Sequence, residues 1–231
     1  MNIKTRIKEK GIDAIIVLFI FLTAGIYSCA AQGQSFRPFK YMGFEGTFGA
    51  RSFKINSSIT QLNQMAVLGQ GGTLGLVFGN DILRTKVRAA GFYYSSSSTP
   101  RTIDLFESEA LLNFYPLEYF RRYENALDIY LIGGVGIDNI KFYGHYLSED
   151  TQKVNYSTND EPYLGKLSQI NLTGGLGLEY QLTINDDFVH LFAEAKYGRA
   201  LHSSADRVAF ENTSIKDFSS INIGVSFGIC R

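Results

Sequence analysis

The stretch QINLTGGLGLEYQLT, residues 169–183, alternates apolar side chains with small or polar ones at every second position. Its apolar positions are Ile170, Leu172, Leu176, Leu178, Tyr180 and Leu182. Between them lie Asn171, Thr173, Gly175, Gly177, Glu179 and Gln181. Alternation with period two is typical of a β-strand with one apolar face, whereas an amphipathic helix repeats every 3.6 residues. The stretch therefore predicts a long strand that lies between two different environments.

The same period recurs along the chain and predicts eight strands. The first begins near residue 39, and the others cover residues 65–78, 82–94, 102–114, 126–143, 169–183, 188–201 and 217–229. Tight turns at 79–81 and 185–187 and a medium turn at 115–125 alternate with looser connections at 56–64, 95–101, 144–168 and 202–216. This arrangement predicts an all-β fold, an eight-stranded antiparallel up-and-down barrel with both ends of the barrel chain on the short-turn side.

Composition excludes several classes of protein. The 231 residues include 22 Lys and Arg and 22 Asp and Glu, so the formal net charge is zero and gives no electrostatic reason to expect nucleic acid as a partner. A hydrophobic content of 45% excludes a disordered chain, and two cysteines exclude a disulfide scaffold. The three histidines, His145, His190 and His202, have no metal-ligand spacing. We predict no metal, no cofactor and no small-molecule ligand.

The N-terminus has the three-part form of a secretory signal. Lys4, Arg6, Lys8 and Lys10 precede an apolar run at 14–24, which small and polar residues follow. We predict a cleaved signal peptide at 1–33 and a single barrel domain at 34–231. Two alternatives stay open: a membrane-anchoring helix, although the apolar run is shorter than the ~20 residues that a span needs, and a lipoprotein signal ending at Cys29.

A barrel of eight strands can be a soluble ligand carrier or a membrane protein, and the composition of the two faces favours the membrane. The apolar face is nearly free of charge, as lipid contact requires, because Arg or Lys at the bilayer midplane costs about 2–4 kcal/mol. The polar face is rich in glycine, which suits a narrow interior. Aromatic residues near the strand ends also predict two interfacial girdles. They are Phe92, Tyr93, Tyr94, Phe142, Tyr143 and Tyr146 at one rim and Phe114, Tyr115, Tyr119 and Phe120 at the other.

Two phrases, LLNFYP at 111–116 and IGGVG at 132–136, are common in small bacterial barrels. With the strand pattern, they make the mature chain resemble the eight-stranded outer-membrane barrels of the OmpA/OmpX-like group and the PorT-like families. The resemblance implies a transmembrane β-barrel in the outer membrane of a Gram-negative bacterium, with outer-membrane lipid as its surroundings. Its short turns would then face the periplasm and its long loops the outside.

Charged residues occur in the polar phase of several strands. They are Glu45, Glu107, Glu109, Glu179 and Glu194, together with Arg84, Lys86, Arg88 and Lys196. Because an eight-stranded barrel is just wide enough to be filled by its own side chains, we predict an interior ion-pair network that plugs the lumen. The alternative is a narrow pore, although a selective pore more often carries one dominant sign of charge.

One motif suggests an enzyme. His202 and Ser204 form a His-x-Ser pair, and an acid follows at Glu211 or Asp217. The pair is similar to that of the lipid A 3-O-deacylases, barrel hydrolases in which Ser attacks an ester, His acts as base and the acid orients the His. By parity along the strand, His202 is expected to face the lumen unless a bulge intervenes.

The main prediction is not an enzyme. We expect a structural or accessory component of the cell envelope that binds another envelope protein through its outer loops. The loop at 144–168 is the longest, and Tyr146, Tyr156 and Tyr163 within it are candidate contact residues, because exposed aromatic side chains are enriched at interfaces.

Overall fold

The structure is a computed structural model that describes residues 40–57, 66–95, 102–117, 127–144, 163–184, 187–206 and 212–230. Eight strands form a closed barrel in which each strand is antiparallel to its neighbours and β1 pairs with β8. The strands are β1 (Tyr41–Asn56), β2 (Ala66–Gly79), β3 (Leu83–Ser95), β4 (Thr102–Phe114), β5 (Leu127–Tyr143), β6 (Tyr163–Ile184), β7 (Asp187–Ala205) and β8 (Ser214–Cys230). The predicted eight-stranded up-and-down barrel is confirmed. The predicted signal peptide lies outside the described residues.

The barrel has two distinct ends. At the turn end, β2 and β3 are joined by a tight turn in which the Asn80 side chain accepts hydrogen bonds from the backbone N–H groups of Ile82 and Leu83. Asp81 of this turn also accepts hydrogen bonds from Lys40 Nζ at 2.8 Å and from the Tyr41 hydroxyl at 2.6 Å, which ties the start of β1 to the turn. At the other end, here called the loop end, lie the connections between β1 and β2, β3 and β4, β5 and β6, and β7 and β8, of which the one between β5 and β6 is the longest.

Three strands are longer at the loop end than the pattern predicted. β6 begins at Tyr163 rather than at residue 169, β7 continues to Ala205, and β8 begins at Ser214. The predicted loops at 144–168 and 202–216 are correspondingly shorter. The alternation pattern underestimated the length of these strands because the two faces of the wall exchange polarity near the loop end.

That exchange is clear on β5. Ile137 faces out and Asp138 faces in, but two residues later Ile140 faces in and Lys141 faces out. The inward side changes from polar to apolar in the same way near the loop end of β1, β3, β4, β6 and β8. Through the middle of the barrel the wall is therefore apolar outside and mostly polar inside, whereas near the loop end its inner side is apolar.

On the turn side of this exchange, a band of the outer surface carries no Lys, Arg, Asp or Glu among the described residues. We call it the apolar belt. It runs from residue 189 to 197 on β7 and from 127 to 137 on β5, which is nine and eleven residues. A tilted strand crosses the hydrocarbon core of a bilayer with about 9–11 residues, so the belt has the height of a membrane. Within the described part of the chain, no helix has the length and apolar character needed to span one.

Candidate functional site

A cluster of four charged side chains lies at the centre of the barrel interior. Arg88 donates to both oxygens of Glu194, at 2.5 and 2.9 Å, and also pairs with Glu45. Lys86 Nζ lies 3.0 Å from Glu194 and 3.2 Å from Glu45. The four side chains are buried, and the two cations neutralise the two carboxylates.

Two further ion pairs extend this cluster. Lys196 Nζ lies 2.6 Å from Glu109, whose carboxylate is also 3.5 Å from Arg88. Nearer the turn end, Arg84 Nη1 lies 2.5 Å from Glu179. The Glu179 carboxylate has two more partners, His190 Nδ1 at 3.0 Å and the Tyr115 hydroxyl at 3.0 Å.

Nearer the loop end, Arg51 forms salt bridges with two carboxylates. Its guanidinium lies 2.8 Å from Glu107 and 2.5 Å from Asp138, and it stacks 3.6 Å from the centre of the Phe218 ring. All nine residues of the predicted network are therefore buried and ion-paired. Arg51, Asp138 and His190 are additional members that the prediction omitted, although their positions in the polar phase of β1, β5 and β7 signalled them.

Between the charged side chains and the loop end, the interior of the barrel is apolar. Fourteen buried side chains form one cluster at the loop end, with Phe53 and Tyr94 in edge-to-face contact at 4.8 Å. Its members are Phe53, Ile55, Val67, Ala90, Phe92, Tyr94, Ile103, Leu105, Ile140, Phe142, Leu164, Leu167, Ile215 and Phe218. We call this cluster the apolar plug. At the turn end, Tyr41, Val77 and Phe188 form a smaller apolar group, so the charged layer is enclosed on both sides.

The apolar plug corrects the predicted girdles. Phe92, Tyr94 and Phe142 point into the barrel rather than toward lipid, and Tyr115 does so at the turn end. Tyr93 is 55% exposed on the outer surface, as an interfacial residue would be. Aromatic residues near the strand ends therefore have two different roles: some lie on the outer surface, and most of the described ones fill the interior.

Glycines make room for the largest interior rings. Tyr130 packs over Gly177, its direct partner on β6, and Phe218 packs over Gly198, its partner on β7. A Cβ added at Gly177 would lie 2.1 Å from the Tyr130 ring. The expectation that small residues leave room for large ones in a narrow lumen thus has a specific form, a glycine beneath an aromatic ring on the neighbouring strand.

The His-x-Ser pair lies on the outer surface. The pairing of β6 with β7 shifts between Ile170 and Asn171, which face His202 and Ala200. This bulge turns His202 and Ser204 outward, which is the exception that the parity argument allowed. Asp217 also faces out.

Asp217 is bonded elsewhere. It lies opposite Arg199 in the register of β7 and β8 and accepts a hydrogen bond from Tyr197. Among the described residues, no hydrogen bond joins His202 to Ser204 or to Asp217. The other candidate acid, Glu211, lies outside the described residues.

The loop tyrosines are only partly described. Tyr163 is the first residue of β6 rather than a loop residue, and its hydroxyl donates to Asp206. Its ring lies 5.9 Å from that of Tyr143 on the adjacent strand. Tyr146 and Tyr156 lie outside the described residues. The described part of the chain also contains no group of three His, Cys, Asp or Glu side chains placed to hold a metal ion.

Known structures contain the same barrel. The crystal structure of Neisserial surface protein A superposes with a TM-score of 0.51 at 15% identity, covering 79% of this chain and 95% of that one. The chain has the fold of a small outer-membrane β-barrel. The N-terminal barrel of Pseudomonas aeruginosa OprF is similar at 14% identity and a TM-score of 0.40, and covers 81% of this chain and 98% of its own length. No family model and no curated protein matches the sequence.

This small outer-membrane β-barrel fold agrees with the resemblance drawn from the strand pattern. At such low identity the likeness concerns the fold alone. The chemistry of the chain must therefore be argued from its own interior and its own outer surface.

Proposed function

We propose that this chain is an integral outer-membrane barrel with a closed interior, a structural or accessory component of the Gram-negative envelope that reaches its place through the N-terminal signal. The observation that carries this proposal is the filled interior. An ion passing from end to end would have to displace the apolar plug and then cross a layer in which every Lys and Arg is already ion-paired with a carboxylate. This argues against the alternative of a narrow pore.

The apolar belt supports a place in the membrane. Large apolar side chains such as Leu74, Leu68 and Ile221 are 75%, 71% and 66% exposed on it, which water would oppose by about 25 cal/mol per Å² of apolar surface. A closed barrel in lipid satisfies both this surface and the backbone hydrogen bonds of the wall. A soluble carrier would instead need charged side chains on the outside of the belt.

With the interior filled, a partner can bind only to the loops or to the outer wall. We propose that the partner is another envelope protein and that the loop between β5 and β6 provides the contact, through Tyr146 and Tyr156. Tyr163 is a weaker candidate than Tyr146 and Tyr156, because its hydroxyl already donates to Asp206 and its ring already contacts Tyr143.

Electrical recording and affinity capture test this proposal together. In planar bilayers the purified barrel is expected to give no steady conductance, with a known porin as the positive control.

A tag placed after residue 33 is expected to recover one stoichiometric partner from detergent-solubilised outer membranes. Recovery should fall in the variant Tyr146→Ala/Tyr156→Ala and not in Tyr93→Ala, which changes a lipid-facing tyrosine. Steady channels would contradict the closed interior, and a lone heat-modifiable monomer would contradict the accessory role.

A second candidate, the deacylase, is favoured by one observation, the bulge that turns His202 and Ser204 to the outer surface. Of its two candidate acids, Glu211 lies outside the described residues, and Asp217 is bonded to Tyr197 and lies opposite Arg199 rather than His202. A serine whose base is not oriented by an acid is a weak nucleophile.

We therefore expect Ser204→Ala to leave lipid A unchanged. Lipid A extracted from cells that express the wild type, Ser204→Ala or the neighbouring Ser203→Ala should show the same acyl chains by mass spectrometry. Loss of the 3-O-acyl chain in wild-type cells and its retention in Ser204→Ala alone would establish the enzyme.

A further inference from the structure

Three exposed cations lie side by side just beyond the edge of the apolar belt. They are Lys54 on β1, Lys216 on β8 and Arg199 on β7, three adjacent strands. Neighbouring strands are about 4.8 Å apart, so the cations lie within a patch about 10 Å wide. Among the described residues, none of the three has a salt-bridge partner, so each is available to an anionic ligand.

A β-bulge produces this grouping. The pairing of β1 with β8 passes from Phe53 and Phe218 to Ile55 and Ile215, so Lys54 alone lies opposite two residues, Lys216 and Asp217. Both of those side chains are exposed, although consecutive residues of a regular strand point to opposite faces. Bulges are common at barrel rims, where they re-aim side chains. This one adds an outward lysine beside Lys54.

The surface next to the cations is concave. A cleft of about 420 Å³ is lined by Ser52, Lys54, Leu68, Tyr197, Asp217 and Ser219. Hydroxyl groups can donate hydrogen bonds to an anion, and the one acid of the cleft accepts its hydrogen bond from Tyr197. Of the three cations, only Lys54 lines the cleft, and Arg199 and Lys216 lie beside its Asp217. The patch as a whole has three cations for one carboxylate.

The height of the patch identifies the kind of ligand. Tyr197, the last residue of the belt on β7, is two residues from Arg199, and the apolar Leu68 and Ile221 lie exposed below the cations. A molecule that fills both parts of this surface has an anionic group at the edge of the belt and apolar chains along it. A lipid with a phosphate headgroup has this form, and basic residues near a membrane surface attract such headgroups.

We propose that Lys54, Arg199 and Lys216 bind the phosphate group of a membrane lipid in the leaflet on the loop side. This inference rests on the proposed membrane location and goes beyond it, because it assigns a specific lipid site to one side of the wall. Lys141 and Lys166 on β5 and β6 are outward as well, but they lie on a different part of the wall.

The test measures lipid binding to the purified full-length barrel in detergent micelles. Diphosphorylated lipid A is titrated into the wild type, into the triple variant Lys54→Gln/Arg199→Gln/Lys216→Gln, and into the matched control Lys141→Gln/Lys166→Gln. Each basic residue near the headgroup contributes about a fivefold effect, so the triple variant should bind roughly a hundredfold more weakly. The matched control should bind within about threefold of the wild type. Equal weakening of both variants, or unchanged binding by the triple variant, would overturn the site.

Two further probes separate phosphate from lipid. Lipid A without phosphate groups should bind as weakly as the triple variant binds the diphosphorylated form, and inorganic phosphate alone should give no saturable binding. Saturable binding of inorganic phosphate at equal affinity would instead make this a free-anion site and overturn the lipid assignment.

Insertion into vesicles, monitored by heat-modifiable mobility, is measured for every variant. A wild type that fails to insert contradicts the proposed function, whereas inserted protein without lipid selectivity contradicts this inference alone.

Discussion

Replacing Arg88 with methionine is expected to lower the free energy of unfolding by about 3–5 kcal/mol, because it leaves buried carboxylates without their main partner. Arg88 contacts both Glu45 and Glu194, and both carboxylates are buried. After the substitution, Lys86 is the one described cation that remains within salt-bridge distance of the two, and the Tyr130 hydroxyl still donates to Glu194. Methionine approximates the length of the arginine stem, so the loss reports the missing charge more than missing volume.

A second substitution distinguishes the charge from the packing. In the double variant Arg88→Met/Glu194→Gln, one cation and one anion are removed together, and Lys86 and Glu45 remain as a pair at 3.2 Å. The double variant should therefore be more stable than Arg88→Met alone. Lys141→Met, which removes an exposed cation, should change stability by less than about 0.5 kcal/mol. Urea unfolding in lipid vesicles gives all of these values. A double variant less stable than the single one would show that the ion pairs do not act as proposed.

Alternation was sufficient to predict the strand order and the closed barrel, because a wall between lipid and a polar interior imposes period two on every strand. It was insufficient at the loop end, where the barrel extends beyond the apolar belt. There the outside is polar and the inside apolar, so Lys166 and Leu167 on β6 continue the strand while reversing the sense of the pattern. Where the polarity of the two faces is reversed, a search for strands with an apolar outer face and a polar inner face assigns the residues to a loop. The strand is recognised only if the reversed pattern is also considered.

The charged interior was also predictable in part. The polar phase of the strands placed all nine predicted network residues inside, yet the partners across the lumen depend on barrel closure and on stagger. Arg51 meets Asp138 across 87 residues of sequence, and no local feature links the two. The bulges were equally hidden. Ala200 and Leu201 have no turn-forming residue, and the shift that turns His202 outward becomes apparent only from the pairing with β6.

Replacing Gly177 with alanine should destabilise the barrel by about 1–3 kcal/mol, the usual effect of adding a methyl group to a packed interior. The added Cβ would lie 2.1 Å from the Tyr130 ring, far inside van der Waals contact. The ring cannot swing away freely, because the Tyr130 hydroxyl lies 2.8 Å from Glu194 and its ring packs 4.9 Å from that of Tyr115. Moving it would therefore disturb the central charged cluster as well as the local packing.

Gly133 provides the matched control. It also lies within a long strand of the barrel, and a Cβ added there meets no atom within 4 Å. Both substitutions remove the same backbone freedom from the unfolded chain, so that contribution to stability is common to both. Gly133→Ala should be neutral or slightly stabilising while Gly177→Ala is destabilising, measured by urea unfolding in the same vesicles. Equal stabilities would mean that the Tyr130 ring moves aside at no cost. The pairing of glycine with an aromatic ring would then be a consequence of barrel geometry and not a contribution to its stability.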